Sequence, residues 1–265
     1  VLKQQKLREI TRLLGETAGL DCLDLGSDNG VVSLLLRRRG GRWHSADLDP
    51  VAVASTHELV GTNVHQLDGA RLPFPDDAFD AVVVVDLLEH VREDAALVAD
   101  LHRITRPGGR LIVNVPHAKD SLLRRVRLWL GQTDERHGHV RHGYTAESLA
   151  RVLGEHYRLV QCHTYSRVFC EALDTLITAA YGVLKGTQAE ASSKGVLVTG
   201  RDLARFRTLF RLYSALYPAF WLAAQLDRLL GFTAGYMLIA EARSTKAAPT
   251  RASLASAGIA RPPVL

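Results

Sequence analysis

Cysteine, methionine and long apolar runs are all scarce in this chain of 265 residues, which has three cysteines and one methionine. Cys22, Cys162 and Cys170 lie among apolar neighbours with no metal-like spacing, so they are read as reduced core thiols of a cytosolic protein. No stretch reaches the roughly 18 uninterrupted apolar residues of a membrane span. Val1 to Glu16 is charged and helix-periodic, which excludes a signal peptide there. The chain does not start with methionine, and its numbering is expected to begin inside a longer gene product. Charge of one sign is lacking too. The 33 Lys+Arg against 28 Asp+Glu leave a mildly basic balance, compatible with anionic surfaces and too even to point to nucleic acid. The length is enough for a full core, as one large domain or one domain with a substantial insertion.

What the chain does have is a strand, a tight turn and a helix start in Cys22-Leu23-Asp24-Leu25-Gly26-Ser27-Asp28-Asn29-Gly30. Glycines there remove side chains where backbone would come close to a ligand, and the helix start offers unpaired N–H groups. Asp24 would place a carboxylate where a ligand's cationic group could meet it. Leu2, Leu7, Ile10, Leu13 and Leu14 predict a preceding helix. Strands are expected at Leu20 to Leu25, Trp43 to Asp47, Val64 to Leu67, Phe79 to Val85 and Arg110 to Val115. The fourth is almost all Val and Ala, the mark of a strand buried on both faces. Asp49-Pro50 caps one intervening helix, and another runs from Arg92 to Thr105. This alternation predicts an α/β, doubly wound sheet.

Further along, an arginine-bearing helix is expected from Ala118 to Leu130, followed by a histidine-rich loop, Arg136 to Tyr144. Thr145 then caps a helix over Ala146 to Gly154. Tyr157 to Tyr165 reads as a sixth strand and Ala234 to Ala242 as a seventh, with a helical insertion between them. The expected division is a core at 1–165, an insertion at 166–231, the last strand at 232–243 and a disordered tail at 244–265.

An acid about 20 residues after the glycine turn, at the end of the second strand, is where a nucleoside ribose is held, and Asp47 meets that requirement. Asp68-Gly69-Ala70 puts another carboxylate at the end of the third strand, where it could accept from an adenine amino group. Both acids also have plainer readings, as a turn residue and a loop acid.

Leu23 to Gly30, Asp47, Asp68-Gly69, Leu72-Pro73-Phe74-Pro75, Phe79-Asp80-Ala81-Val82, Leu88-Glu89-His90-Val91 and Arg106-Pro107-Gly108-Gly109 follow in order. As a set, this stretch from 20 to about 165 resembles the class I S-adenosylmethionine-dependent methyltransferases, especially the small-molecule branch with the quinone-biosynthesis enzymes. The resemblance implies a seven-stranded Rossmann-like sheet. It implies that Asp24 and Gly26 line the methionine end of S-adenosyl-L-methionine, that Asp47 holds the ribose and that Asp68 with Gly69 meets the adenine. Asp86 and Leu87 would cover the cofactor, and Leu25, Ser27, Gly30, Leu48 and Ala70 complete the implied binding set. The family usually has glycine where Asp28 stands.

Rival readings fit less well. A nicotinamide site would want Gly-x-Gly-x-x-Gly, and position 28 is Asp. Nucleic-acid amine methylation would favour an Asn/Asp-Pro-Pro-aromatic run where this chain has Asp86-Leu87-Leu88-Glu89. The sulfonium methyl is already activated, so a hydroxyl acceptor mainly needs alignment and a base. His90, His117 and His139 are the candidate bases, with His137 and His142 beside them, and each could equally be a packing or surface histidine. The Asp86/Glu89/His90 constellation resembles metal positions in some quinone O-methyltransferases, but no metal is expected. In the insertion, Leu203, Phe206, Phe210, Tyr213, Tyr217, Phe220, Trp221 and Ala224 recur at helical steps, with Pro218 as a kink. That face reads as a lid on the core, a dimer contact, or a surface lying in a membrane interface with a lipid-linked acceptor. The expected activity is methyl transfer to a small or lipid-linked molecule, chiefly to oxygen. The alternative is a non-catalytic cofactor-binding or membrane-peripheral protein that kept the fold. Either would be cytoplasmic, with the inner face of the membrane as the alternative location.

Overall fold

Apolar runs too short for helices, each followed by an amphipathic segment, fold into the expected alternation of strands and helices. A computed structural model describes residues 2–26, 28–68, 71–129, 138–173, 175–176, 218, 221–222, 225–227, 229–230 and 233–247. Helix α1 (Leu2–Leu14) leads into β1 (Asp21–Leu25), then α2 (Val31–Arg37), β2 (Arg42–Asp47), α3 (Pro50–Val60) and β3 (Val64–Gln66). The chain continues through β4 (Phe79–Val85), a 3-10 turn at Leu88–His90, α4 (Asp94–Ile104), β5 (Thr105–Pro116), α5 (Leu122–Trp129), α6 (Ala146–Leu153), β6 (Tyr157–Tyr165) and β7 (Met237–Ser244).

Among the described residues, seven strands form one sheet in the order β3-β2-β1-β4-β5-β7-β6. Strands β1 to β5 pair in parallel, and β7 runs antiparallel between β5 and β6. Strand β4 is buried apart from Asp80. Its Val82 and Val84 pack with Leu97, Val98 and Leu101 of α4 and Leu149 and Leu153 of α6, whereas Ala81, Val83 and Val85 pack with Ile10, Leu13 and Leu14 of α1 and Val32 and Leu36 of α2. Two apolar faces thus hold helices on both sides of the sheet, as the Val-rich run predicted. The chain order reverses between β1 and β4, and the crevice beyond their carboxyl ends is where ligands of open α/β sheets bind.

The differences from expectation are local. Strand β5 starts at Thr105, not Arg110, because Thr105 already pairs with Phe79. Helix α5 is eight residues long rather than starting at Ala118, since His117 to Lys119 continue from β5 as a bridge and a turn. Strand β7 starts three residues later than expected, because the Tyr236 N–H is taken by the Ser166 carbonyl at 2.7 Å before the ladder begins. The insertion leaves and rejoins the sheet at one place: Asp227 accepts from the N–H groups of Arg167 and Phe169, each at 2.8 Å. Most of the aromatic face expected from Leu203 to Phe220, and the tail from 248 on, lie outside the described residues. No helix among the described residues is long and apolar enough to cross a membrane.

Candidate functional site

The carboxyl ends of β1, β2 and β4 meet at the crevice, and the residues there divide into those that build it and those that face it. Asp24 belongs to the first group. Its carboxylate is fully buried and accepts from Ser33 Oγ at 2.5 Å and Ser45 Oγ at 2.7 Å, tying β1 to α2 and β2. The sequence reading that this acid meets a ligand's cationic group does not match that geometry, because both oxygens point into protein. Leu25 likewise packs in the core beneath β1.

Gly26 follows at φ +83°, and a Cβ placed on it would sit 2.2 Å from the Val85 carbonyl oxygen and 3.0 Å from Leu87 Cβ. The close approach that demands glycine is therefore between two strand ends, β1 and β4. Gly30 caps α2 from the left-handed region. Asp28 also has positive φ, at 58°, so the usual family glycine sits at a position where glycine is the unstrained residue. Here the acid is held by Lys3 Nζ at 2.9 Å. Ser27, Gly69 and Ala70 lie outside the described residues.

On the other side of the crevice, Asp47 ends β2 almost fully buried and accepts from the Asp49 N–H at 3.0 Å. Asp49 caps α3 by accepting from the Val51 N–H at 2.8 Å, so its role is the structural one. A cavity of about 370 Å³ opens between the ends of β2, β3 and β4, with Leu48, Leu67 and Leu87 as apolar walls and Asp68 and His90 at its polar positions. Arg92 and Glu93 also line it, and a largely apolar slot with a carboxylate at a strand end suits a flat, amine-bearing ring. Of the implied cofactor set, Leu48, Asp68 and Leu87 line this slot, and Asp47 stands at the neighbouring strand end.

The histidine loop crosses the edge as expected. Val140 N–H donates to the Glu89 carbonyl at 2.9 Å, and His117 bridges in parallel to Tyr144. Arg141 pins the loop by donating to Asp94, to the Tyr144 hydroxyl and, at 2.9 Å, to the Arg92 carbonyl. Burial, then the Asp94 carboxylate, raises the Tyr144 hydroxyl above its usual range, so this phenol stays protonated. His90 Nδ1 lies 3.1 Å from the Gly138 carbonyl, and His117 Nδ1 3.0 Å from the Gly235 carbonyl. A carbonyl only accepts, so both Nδ1 atoms carry the proton and each Nε2 keeps the lone pair in the neutral ring. His139 packs edge-on against His90, with ring centroids 4.8 Å apart. Glu89, His90 and His139 bring donor atoms within 4.8 Å of one another, a carboxylate and two imidazoles that could hold a metal ion. Sequence spacing had grouped Asp86 with Glu89 and His90 instead.

Asp86 faces elsewhere. At φ 45° it turns its carboxylate to Lys6 of α1 and accepts from Asn114 Nδ2 at 3.0 Å, while Tyr165 donates to Asn114 Oδ1 at 2.5 Å. Sequence reasoning missed this network. Its signal was present: Lys6 stands four residues before Ile10 and eight before Leu14, on the apolar stripe of α1, where a charge must find a partner.

A family profile described as "Methyltransferase domain" matches residues 2–157. Over 109 residues the chain is 33% identical to a demethylmenaquinone methyltransferase of Tropheryma whipplei, a match covering 40% of this chain and 46% of that protein. Over 104 residues it is 31% identical to a ubiquinone biosynthesis O-methyltransferase of Pseudomonas aeruginosa, covering 37% and 44%. It therefore spans a little under half the length of these curated relatives. The N-methyltransferase NodS of Bradyrhizobium japonicum, solved with S-adenosyl-L-homocysteine, superposes with a TM-score of 0.51 at 14% identity, over 92% of this chain and 87% of that one, a likeness of fold. With the strand order, the crevice at the β1/β4 reversal and a profile that spans both, the chain belongs to the methyltransferase-domain family.

Proposed function

We propose that this chain is an S-adenosylmethionine-dependent methyltransferase whose acceptor is a small quinone-type molecule, methylated on oxygen. The observation that carries the reading is the apolar slot with Asp68 and His90, opening at the reversal of a methyltransferase-type sheet. The names of the relatives, demethylmenaquinone and ubiquinone biosynthesis methyltransferases, support the acceptor class.

The cofactor supplies a methyl group already activated by its sulfonium, which leaves the protein to bind, align and manage one proton. Asp47 would accept from the ribose hydroxyls, and Asp68 with the walls Leu48 and Leu87 would hold the adenine. His90 lines the slot, with Nδ1 facing the Gly138 carbonyl, and is the residue assigned to take the acceptor's hydroxyl proton. His139, against its ring, and His117, at the end of β5, are the other two positions at this edge.

Transfer of labelled methyl from S-adenosylmethionine to a panel of hydroxyquinones and hydroquinones tests the reading. Asp47→Ala should weaken cofactor binding by about 1.5–3 kcal/mol, the scale of charge-assisted hydrogen bonds. His90→Gln should lower turnover with cofactor affinity unchanged. Wild-type protein that binds the cofactor and methylates no member of the panel refutes the acceptor class, and wild-type affinity in Asp47→Ala refutes the ribose assignment.

A peripheral membrane contact is the further reading for partner and location, and α5 favours it. None of its residues is buried, and Leu122 and Trp129 are 78% and 85% exposed beside Arg125. An apolar face edged by arginine suits an anionic bilayer surface and a lipid-linked acceptor. Co-sedimentation with anionic vesicles, lost in Leu122→Glu/Trp129→Glu, is the expected result. Protein that stays in the supernatant at low salt refutes it.

A further inference from the structure

Helix α1 reaches the crevice with two lysines one turn apart. Lys3 pairs with Asp28 at 2.9 Å and donates to Asn29 Oδ1 at 3.2 Å, on the turn after β1. Lys6 is different in kind. It is only 7% exposed, and its ammonium is paired with Asp86 at the end of β4. A buried lysine is costly unless its charge has a standing task, and an apolar residue would pack the α1 stripe more simply.

The amino-acid end of the cofactor is a zwitterion: a carboxylate and an ammonium on one carbon. The end of β4 already offers an anion, Asp86, held by Asn114 on one side. What a zwitterion also needs is a cation next to that anion, and Lys6 is there. Burial works against the Lys6 ammonium, but the charge and hydrogen bond of Asp86, with the charges of Glu89 and Asp28, outweigh it and raise its pKa. Lys6 is therefore a permanent cation and not a base.

We propose that Lys6 is a cofactor-binding residue that receives the methionine carboxylate, while Asp86, its partner in the present structure, receives the ammonium. The Lys6–Asp86 pair is a charge template for the zwitterion, and α1 is part of the binding site and not only packing. This rests on the cofactor reading above. Lys3, paired in the open with Asp28, is the control, because exposed pairs of that sort contribute little.

Calorimetry with three probes separates the possibilities. S-adenosylhomocysteine carries both charges of the amino-acid end, decarboxylated S-adenosylmethionine lacks the carboxylate, and 5′-methylthioadenosine lacks the amino acid altogether. Lys6→Met should lose about 10–100-fold in affinity for S-adenosylhomocysteine, the scale of a hydrogen bond to a charged group. It should bind methylthioadenosine within about threefold of wild type, and the decarboxylated compound as well or better. Lys3→Met should change none of them by more than about threefold. Because Lys6→Met leaves Asp86 without its ammonium, Lys6→Met/Asp86→Asn provides a variant with no stranded charge. It should stay folded, keep methylthioadenosine and lose S-adenosylhomocysteine.

Tighter or unchanged binding of S-adenosylhomocysteine in Lys6→Met would overturn the proposal, since Lys6 would then only compete for Asp86. Equal loss of all three probes in both variants would also overturn it, by making the lysine structural. Wild-type protein that binds none of the three ends the cofactor reading and this inference with it. Wild type that binds all three while Lys6→Met retains S-adenosylhomocysteine ends this inference alone.

Discussion

Replacing Gly26 by alanine separates a glycine kept for the ligand from one kept for the protein. The added Cβ would stand 2.2 Å from the Val85 carbonyl oxygen, in a backbone at φ +83°. The left-handed conformation alone costs an L residue about 1–2 kcal/mol. Pushing β1 and β4 apart at their carboxyl ends adds about 1–3 kcal/mol, the usual range for overpacking. Together that is about 2–5 kcal/mol, a large share of the ~5–15 kcal/mol that holds a domain folded. Gly108→Ala supplies the comparison: φ there is +69° and nothing lies within 4 Å of the new Cβ, so only the conformational part applies. Urea unfolding of the ligand-free proteins, followed by circular dichroism, reads the difference. With a dependence of about 2 kcal/mol per M, the Gly26→Ala midpoint should fall about 0.5–1.5 M below that of Gly108→Ala. Equal midpoints, with cofactor affinity lost only in Gly26→Ala, would refute the strand-to-strand account and return this glycine to the ligand.

Asp28→Gly relieves a positive φ worth about 1 kcal/mol. It also gives up an exposed Lys3 pair worth about 0–1 kcal/mol and loosens the unfolded chain by a similar amount. Stability should stay within about 1 kcal/mol of wild type and cofactor affinity should hold or rise; a large loss of affinity would make Asp28 a ligand contact. Burial lowers the pKa of His44 and His65, which touch at 2.9 Å between β2 and β3, and of His102. For His44 the nearby Arg37 adds to the lowering and Asp21 opposes it, and for His65 the charges of His44 and Arg37 add to it. The unfolded chain therefore binds more protons than the folded one below about pH 6.5, so stability is complete above that pH and declines beneath it. Urea midpoints at pH 7.5 and 5.5 should differ in that direction, and by less in His44→Gln/His65→Gln. A pH-independent midpoint counts against the assignment.

The parallel core was readable from the chain because its signals are local. The Val run of β4, the Asp49-Pro50 cap and the Thr145 cap each depend on neighbours in sequence, and each is found where expected. Asp47 and Asp68 could be placed because strand ends are countable, although side-chain direction was not. Asp24 shows the limit. A strand-end acid faces ligand or protein according to what stands beside it, and Ser33 and Ser45 come from 9 and 21 residues further along. The Lys6–Asp86 pair spans 80 residues and the His90–His139 contact joins a 3-10 turn to a distant loop. Spacing rules cannot reach such pairs; in the chain they show only as a charge standing on an apolar stripe.

The insertion departs after Ser166 and the chain is back on it at Tyr236, whose N–H meets the Ser166 carbonyl at 2.7 Å. Strands β6 and β7 therefore see the same end-to-end distance whatever number of residues runs between them. Chain-closure entropy grows only with the logarithm of length, so residues 167–234 cost about 2.5 kcal/mol more to close than a four-residue turn. Such a junction is a graft point. Segments of very different size and character can be exchanged there during descent, or in the laboratory, while the register of the sheet and the cofactor crevice across it stay as they are. In this architecture the segment carried between β6 and β7 and the crevice at the ends of β1 to β4 can evolve on separate clocks.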